Sequence, residues 1–201
     1  ISTRYLRNSV DAILIAAGSR VPRDLDIPGR ELGGIHFAME FLTRQNRINE
    51  GEILLAEQRI SAAGKDVVVV GGGDTGADCI GTCRRQGARE IVQIELLPEP
   101  PTERLSDNPW PTWPRILRES TSHKEGCKRL WSIGAKEFVG RHEHVEKLHC
   151  VRLDWRQDAA GRQTFSEIKG SDFDLNADLV LLAMGFVHVE HGPLVSDHRF
   201  E

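Results

Sequence analysis

The sequence predicts an α/β fold built on a parallel sheet and carrying a β-meander. Three observations lead there. Val67-Val68-Val69-Val70, four consecutive β-branched residues, run straight into Gly71-Gly72-Gly73, as a fully buried strand ending in a turn does. A helical stretch at 75–86 and a second apolar strand at 90–96 follow, making one β-α-β unit of about 30 residues with a right-handed crossover. Finally, segments of alternating character at 136–140, 145–155 and 163–168 precede another apolar run, Leu179 to Met184, which reads as a strand buried on both faces.

Taken in order, Ala12–Gly18 is a short apolar run stopped by Gly-Ser and is expected to be a doubly buried strand. Residues 21–29 are punctuated by proline and charge and read as a loop. From Gly34 to about Arg44, Ile35, Phe37, Ala38, Phe41 and Leu42 recur at helical spacing, and a second short helix is expected over 50–58. The helix at 75–86 is closed by Gly87. Residues 97–115, rich in proline and tryptophan, lack periodicity and read as a long functional loop in which Trp110 and Trp113 are packed. The Ser122–Cys127 stretch reads as a turn, with His123 and Glu125 unassigned. The order of elements fits a Rossmann-like sheet with a meander in place of its last helix.

Composition narrows the function. The 201 residues are 39% hydrophobic, enough for a proper core, and the net charge of −4 comes from interspersed charges. A nucleic-acid partner is disfavoured, because a phosphate-backbone binder carries a basic surplus. No apolar run approaches the ~20 residues of a membrane span, so no membrane association is expected. No basic stretch followed by an apolar run opens the sequence, so no signal peptide is expected, and the four cysteines form no C-x-x-C pair. A reducing, cytoplasmic compartment follows as the expectation. Cys79 and Cys83 read as small core residues. His142 and His144 would share a strand face, and His188 and His191 could sit on a turn, but neither pair has a third ligand, so no metal site is expected.

The chemistry lies in Gly71-Gly72-Gly73-Asp74-Thr75-Gly76, a G-x-G-x-x-G run between a strand and a helix. Gly71 permits the tight turn, Gly73 lets a pyrophosphate approach the backbone, and Gly76 lets the helix pack close to the strand. The helix N-terminus then faces the phosphates. A glycine-rich turn without a ligand would look the same. Asp74 and Thr75 suit either helix capping or ligand contact. Glu95 falls about 20 residues beyond Gly76, where a carboxylate bonds both ribose hydroxyls of an adenosine and repels a 2′-phosphate. That favours NADH over NADPH, although Arg104 in the next loop is close enough to reach a 2′-phosphate. Ala183-Met184-Gly185, at the end of a parallel strand, falls where such sheets bind ligands and would line the nicotinamide side. No catalytic nucleophile is expected, since hydride transfer needs none.

These residues resemble the small (β) subunit of glutamate synthase and related flavoprotein reductases of the pyridine nucleotide-disulfide oxidoreductase type. The resemblance is carried by Pro22-Arg23-Asp24-Leu25, Ile27-Pro28-Gly29-Arg30-Glu31-Leu32 and Gly34-Ile35-His36-Phe37-Ala38-Met39, by the glycine turn through Cys79, and by Glu95–Pro101. Asn108-Pro109-Trp110-Pro111, Lys136–Gly140 and Ala177–Phe186 extend it over essentially the whole chain. It implies a Rossmann-like three-layer FAD/NAD(P)-binding fold with a β-meander and a partial second domain. It divides the chain into a flavin-domain strand with a helical linker (1–60), an NAD(P)H-binding domain (61–187) and a crossover back to the flavin domain (188–201). It further implies FAD and iron–sulfur clusters in parts of the protein outside this sequence, a large glutamate synthase subunit as partner, and glutamate made from glutamine and 2-oxoglutarate. This piece alone is then expected to carry neither flavin absorbance nor reductase turnover. Some members of the group carry a basic Tyr-Arg-Arg-like stretch where this chain has Ile94-Glu95-Leu96, which places it with the acidic branch. A related reductase with another acceptor, or a docking module acting through 98–114, are the alternatives.

Overall fold

The computed structural model describes residues 2–14, 16, 18–158 and 160–192. They form two compact units. The larger is Asp24–Met184, and the smaller takes residues from 1–23 and from 185 onward.

The larger unit is organised by five parallel strands: β2 (Ile35–Phe37), β3 (Asp66–Val70), β4 (Glu90–Ile94), β5 (Lys128–Leu130) and β10 (Leu179–Leu182). Their order is β2-β10-β3-β4-β5. Every residue of β3 is buried, as the unbroken valine run demands of a strand covered on both faces. Alternation along the central strands sorts the side chains into two cores. Val67, Val69, Ile91, Leu179 and Leu181 pack against Phe41 of helix α2 (Ala38–Asn49) and against Cys79, Ile80 and Cys83 of helix α3 (Asp74–Arg85). Val68, Val70, Val92, Ile94, Val180 and Leu182 pack on the other face against Ile133, Phe138, Val145 and Leu148. Each of these buried aliphatic side chains contributes about 1.5–3 kcal/mol of transfer free energy.

The second face is covered by the meander: β6 (Ile133–Arg141), β7 (His144–Gln157), β8 (Gln163–Glu167) and β9 (Phe173–Asn176). The long β7 pairs antiparallel with β6 and, along its length, with β8 and β9. Helices, parallel sheet and meander therefore make three layers, as the resemblance implied. The stretch 24–60 contributes β2 and α2 to this unit. The periodicity over 34–44 splits into β2 and the start of α2, and the helix expected over 50–58 is one 3₁₀ turn, Ala56–Gln58. At the amino ends of the strands, Arg89 donates to both Asp66 oxygens at 2.6 Å and to Asp178 at 3.0 Å.

The smaller unit holds helix α1 (Thr3–Ser9) and a two-stranded antiparallel pair, β1 (Val21–Pro22) with β11 (Phe186–His188). The doubly buried strand expected at Ala12–Gly18 does not form: Ala12, Ile13, Leu14 and Ala16 are exposed and irregular. A strand forms where a neighbour takes up its backbone hydrogen bonds, and among the described residues none pairs with this segment. Ile15 and Ala17 lie outside the described residues. No helix among them is long and apolar enough to cross a membrane.

Candidate dinucleotide site

Register brings the site together. Val70 is paired with Ile94 on one side and with Leu182 on the other, so the residues that follow each of them, Gly71, Glu95 and Ala183, emerge side by side at the carboxyl ends of three adjacent strands. Backbone bonds lock them there: Gly71 N–H donates to the Ile94 carbonyl at 2.9 Å and Ala183 N–H to the Val70 carbonyl at 2.8 Å.

The glycines of the turn differ in what surrounds them. Gly71 has φ +112, and a Cβ on it would run into the Ala183 carbonyl. A Cβ on Gly76 would stand 2.5 Å from the Gly71 carbonyl oxygen. A Cβ on Gly72 would collide with the Glu95 carboxylate, which rests against that residue. Gly73 alone of the four has nothing within 4 Å of such an atom, and its φ of −74 is ordinary for any residue.

Gly73 is also the N-cap of α3, and no side chain caps that end. Asp74 and Thr75, suited by type to capping, occupy the first helical positions instead. The first-turn N–H groups of a 12-residue helix thus open onto the space beside Gly73, with the positive end of the helix dipole behind them. Asp78, one turn on, is exposed.

Glu95 is half-buried. Burial pushes its carboxyl pKa up, and the Arg129 guanidinium opposes that rise. Its own N–H donates to the Leu130 carbonyl at 2.8 Å, and its carbonyl accepts from Ile133 N–H at 2.9 Å. Arg104 is engaged within the loop: Nη1 donates to the carbonyls of Asn108 at 3.0 Å and Thr112 at 3.1 Å. Ala183 is buried beside Gly71, and Met184 packs against the meander-side core. Gly185 begins the smaller unit, where it is exposed, has φ +79 and accepts from Arg23 N–H at 2.9 Å.

Several expectations need correction. Trp110 and Trp113 are not packed; they are 83% and 74% exposed. The loop is held by a polar residue instead. Buried Asn108 donates to Thr112 Oγ1 at 2.9 Å and to the Trp113 carbonyl at 3.0 Å, and accepts from Arg115 N–H at 2.7 Å. The indole of Trp113 is covered on one face by Arg118, 4.4 Å from the ring centre. His142 does not share a strand face with His144. It forms with Glu143 the two-residue β6–β7 turn, both at positive φ (49° and 61°), as a tight hairpin matching the strand twist requires. The rings of His188 and His191 lie 4.9 Å apart with their planes tilted by 45°, and no group of three or more His, Cys, Asp or Glu among the described residues is placed to hold a metal.

Two buried polar residues, Gln93 without any signal in the sequence and His123 without an assigned role there, lie beneath the turn. Gln93 of β4 is fully buried, and His123, on the short helix α4 (Thr121–Lys124), is 8% exposed. Glu125, equally unassigned, pairs with Arg85.

A family model described as pyridine nucleotide-disulphide oxidoreductase matches residues 4–192. The chain belongs to that family. Among curated relatives, it is 46% identical over 200 residues to the glutamate synthase [NADPH] small chain of Mycobacterium tuberculosis, covering 98% of this chain and 40% of that one. It is 44% identical over 197 residues to the glutamate synthase [NADH] of Schizosaccharomyces pombe, covering 94% of this chain and 9% of that one. The sequence thus spans well under half the length of these relatives. Among solved structures, Mycobacterium tuberculosis FprA in complex with NADPH superimposes with a TM-score of 0.63 at 17% identity, over 95% of this chain and 54% of that one, a likeness of fold.

Proposed function

We propose that this chain is the NAD(P)H-binding portion of a glutamate synthase small subunit. The observation that carries the reading is the uncapped start of α3 opening onto free space at Gly73, at the carboxyl ends of the parallel strands, where sheets of this build take ligands.

The turn fits a dinucleotide. Backbone N–H groups of Gly72 to Thr75 would receive the pyrophosphate, with Gly71 and Gly76 shaping the approach. Glu95 would accept hydrogen bonds from the ribose hydroxyls and repel a 2′-phosphate, which favours NADH. Arg104 could serve a 2′-phosphate only by leaving the loop carbonyls it now binds. The two relatives above carry different nucleotides in their names at nearly equal identity, so Glu95 is the feature on which the NADH reading rests. Ala183 and Met184 would line the nicotinamide side with small and apolar surface. On this reading a bound nicotinamide would supply a hydride for FAD in the full-length protein, serving reductive glutamate synthesis from glutamine and 2-oxoglutarate. The chain's own part is to bind the donor, orient it and choose between its two phosphorylation states.

Paired titration of NADH and NADPH into the chain and into Glu95→Ala tests this. Tighter NADH binding that collapses or reverses in the variant is the expected result. Failure of both nucleotides to bind below about millimolar, ~−4 kcal/mol, would contradict it.

One observation favours an additional role. Two tryptophans exposed on a loop held rigid by Asn108 are unusual on a free surface, since large aromatics there mark contact sites. Docking of the large glutamate synthase subunit on the 98–114 loop is the second reading.

A further inference from the structure

We infer that Gln93 is a positioning residue for the phosphate-binding turn, set in place by a directional chain of hydrogen bonds that ends at Ser120. The inference rests on the dinucleotide reading given above.

Gln93 is the one polar residue among the buried positions of β4, and its side chain is on the helix side of the sheet, beneath the start of α3. An amide there without partners would bear an uncompensated desolvation cost, so its bonds explain its presence. Nε2 donates to the Gly71 carbonyl at 2.9 Å and would lie 3.1 Å from a Cβ on Gly76. Oε1 accepts from Arg129 Nε at 3.1 Å, and His123 Nε2 lies 3.2 Å from it. On the far side, His123 Nδ1 lies 3.1 Å from Ser120 N and 3.0 Å from Ser120 Oγ.

Only one assignment of donors satisfies both ends. The Gly71 carbonyl can only accept, so the amide NH₂ must face it. Arg129 and the Ser120 N–H can only donate. Oε1 therefore faces Arg129, His123 carries its proton on Nε2 and donates to Oε1, and Nδ1 accepts from Ser120 N–H. The amide cannot flip without setting acceptor against acceptor at Gly71 and donor against donor at Arg129.

The consequence lies on the other side of the Gly71–Gly72 peptide. A trans peptide points its N–H opposite to its C=O. Holding the Gly71 carbonyl inward therefore turns the Gly72 N–H outward, away from the core and toward the side on which the proposed dinucleotide binds. The Gly71 N–H is already fixed to Ile94, so Gln93 supplies the second restraint on a residue whose φ of +112 leaves it few of its own. Pre-setting a donor removes ordering cost from binding.

The test compares NADH affinity and thermal unfolding in the wild-type chain and in Gln93→Met, which keeps the length and apolar stem but has no donor. The expected result is a Kd raised about tenfold in a chain that still unfolds cooperatively. A folded Gln93→Met chain with wild-type affinity would overturn the inference while leaving the dinucleotide reading intact. Failure of the wild-type chain itself to bind would overturn both. Should Gln93→Met not fold, His123 decides. His123→Gln keeps a donor toward Oε1 and should bind within about twofold of wild type. His123→Leu removes it and should bind at least threefold more weakly. Equal affinities in that pair would overturn the inference.

Discussion

Gly71 and Gly76 approach so closely across the turn that a Cβ on Gly76 would stand 2.5 Å from the Gly71 carbonyl oxygen, whereas one on Gly73 would meet nothing. Fold and binding therefore place different demands on glycines that one motif groups together. Gly73→Ala should leave the fold intact or add about 0.4–1 kcal/mol, because φ −74 suits alanine and the unfolded chain loses freedom. The same change should weaken dinucleotide binding at least tenfold by filling the approach. Gly76→Ala should cost about 1–3 kcal/mol of stability. Denaturant unfolding and NADH titration of the two variants check the separation.

Glu95 is expected to cost stability when no ligand is bound. Burial raises its folded pKa above the ordinary glutamate value of about 4.3. Its contribution is thus present in full below that value and is lost as pH rises through the folded pKa. Glu95→Gln should match the wild type near pH 4, exceed it in stability at pH 7, and lose the preference for NADH. Unfolding curves at the two pH values with paired nucleotide titrations measure all three effects.

The cysteines should be inert in the folded chain. Burial pushes Cys83 and Cys150 up to about 12 and Cys79 higher still. Since the thiolate is the reactive form, a disulfide reagent at pH 8 should leave these three unmodified, with half-buried Cys127, also raised, the only one open to slow reaction. All four should react in denaturant. Rapid native labelling of more than one thiol would contradict the burial.

Trp110→Ala should change stability by less than about 0.5 kcal/mol, because its side chain is exposed, and Trp113→Ala, which also loses the Arg118 contact over its ring, by less than about 1 kcal/mol. Nucleotide binding should also be spared. If the large glutamate synthase subunit docks on this loop, co-purification with it should fail in the double variant. Retained association would assign these side chains no docking role.

The parts of the fold legible in the sequence are those specified by a local pattern. Val67–Val70 followed by three glycines, and a helix closed by Gly87, place β3, α3 and β4 without reference to the rest of the chain. The alternating segments likewise place β6, β7 and β8. What escaped depends on partners distant in sequence. Ala12–Gly18 has the composition of a buried strand, but among the described residues no neighbour pairs with it. The short strands β2, β5 and β9 are three or four residues long, below the length at which periodicity reads. Composition predicts Trp110 and Trp113 packed, whereas both are exposed and the buried anchor of their loop is Asn108. Gln93 and His123 left no spacing signal. A lone glutamine in an apolar strand and a lone histidine beyond a loop acquire meaning only when the sheet brings them under Gly71.

Dinucleotide binding at the turn opening α3 is tested most directly by an NADH titration followed by backbone amide chemical shifts of the isotope-labelled chain. Saturable shifts largest at Gly72 to Thr75 and at Glu95 are the result expected. Shifts that do not saturate, or that gather away from the turn, would contradict it.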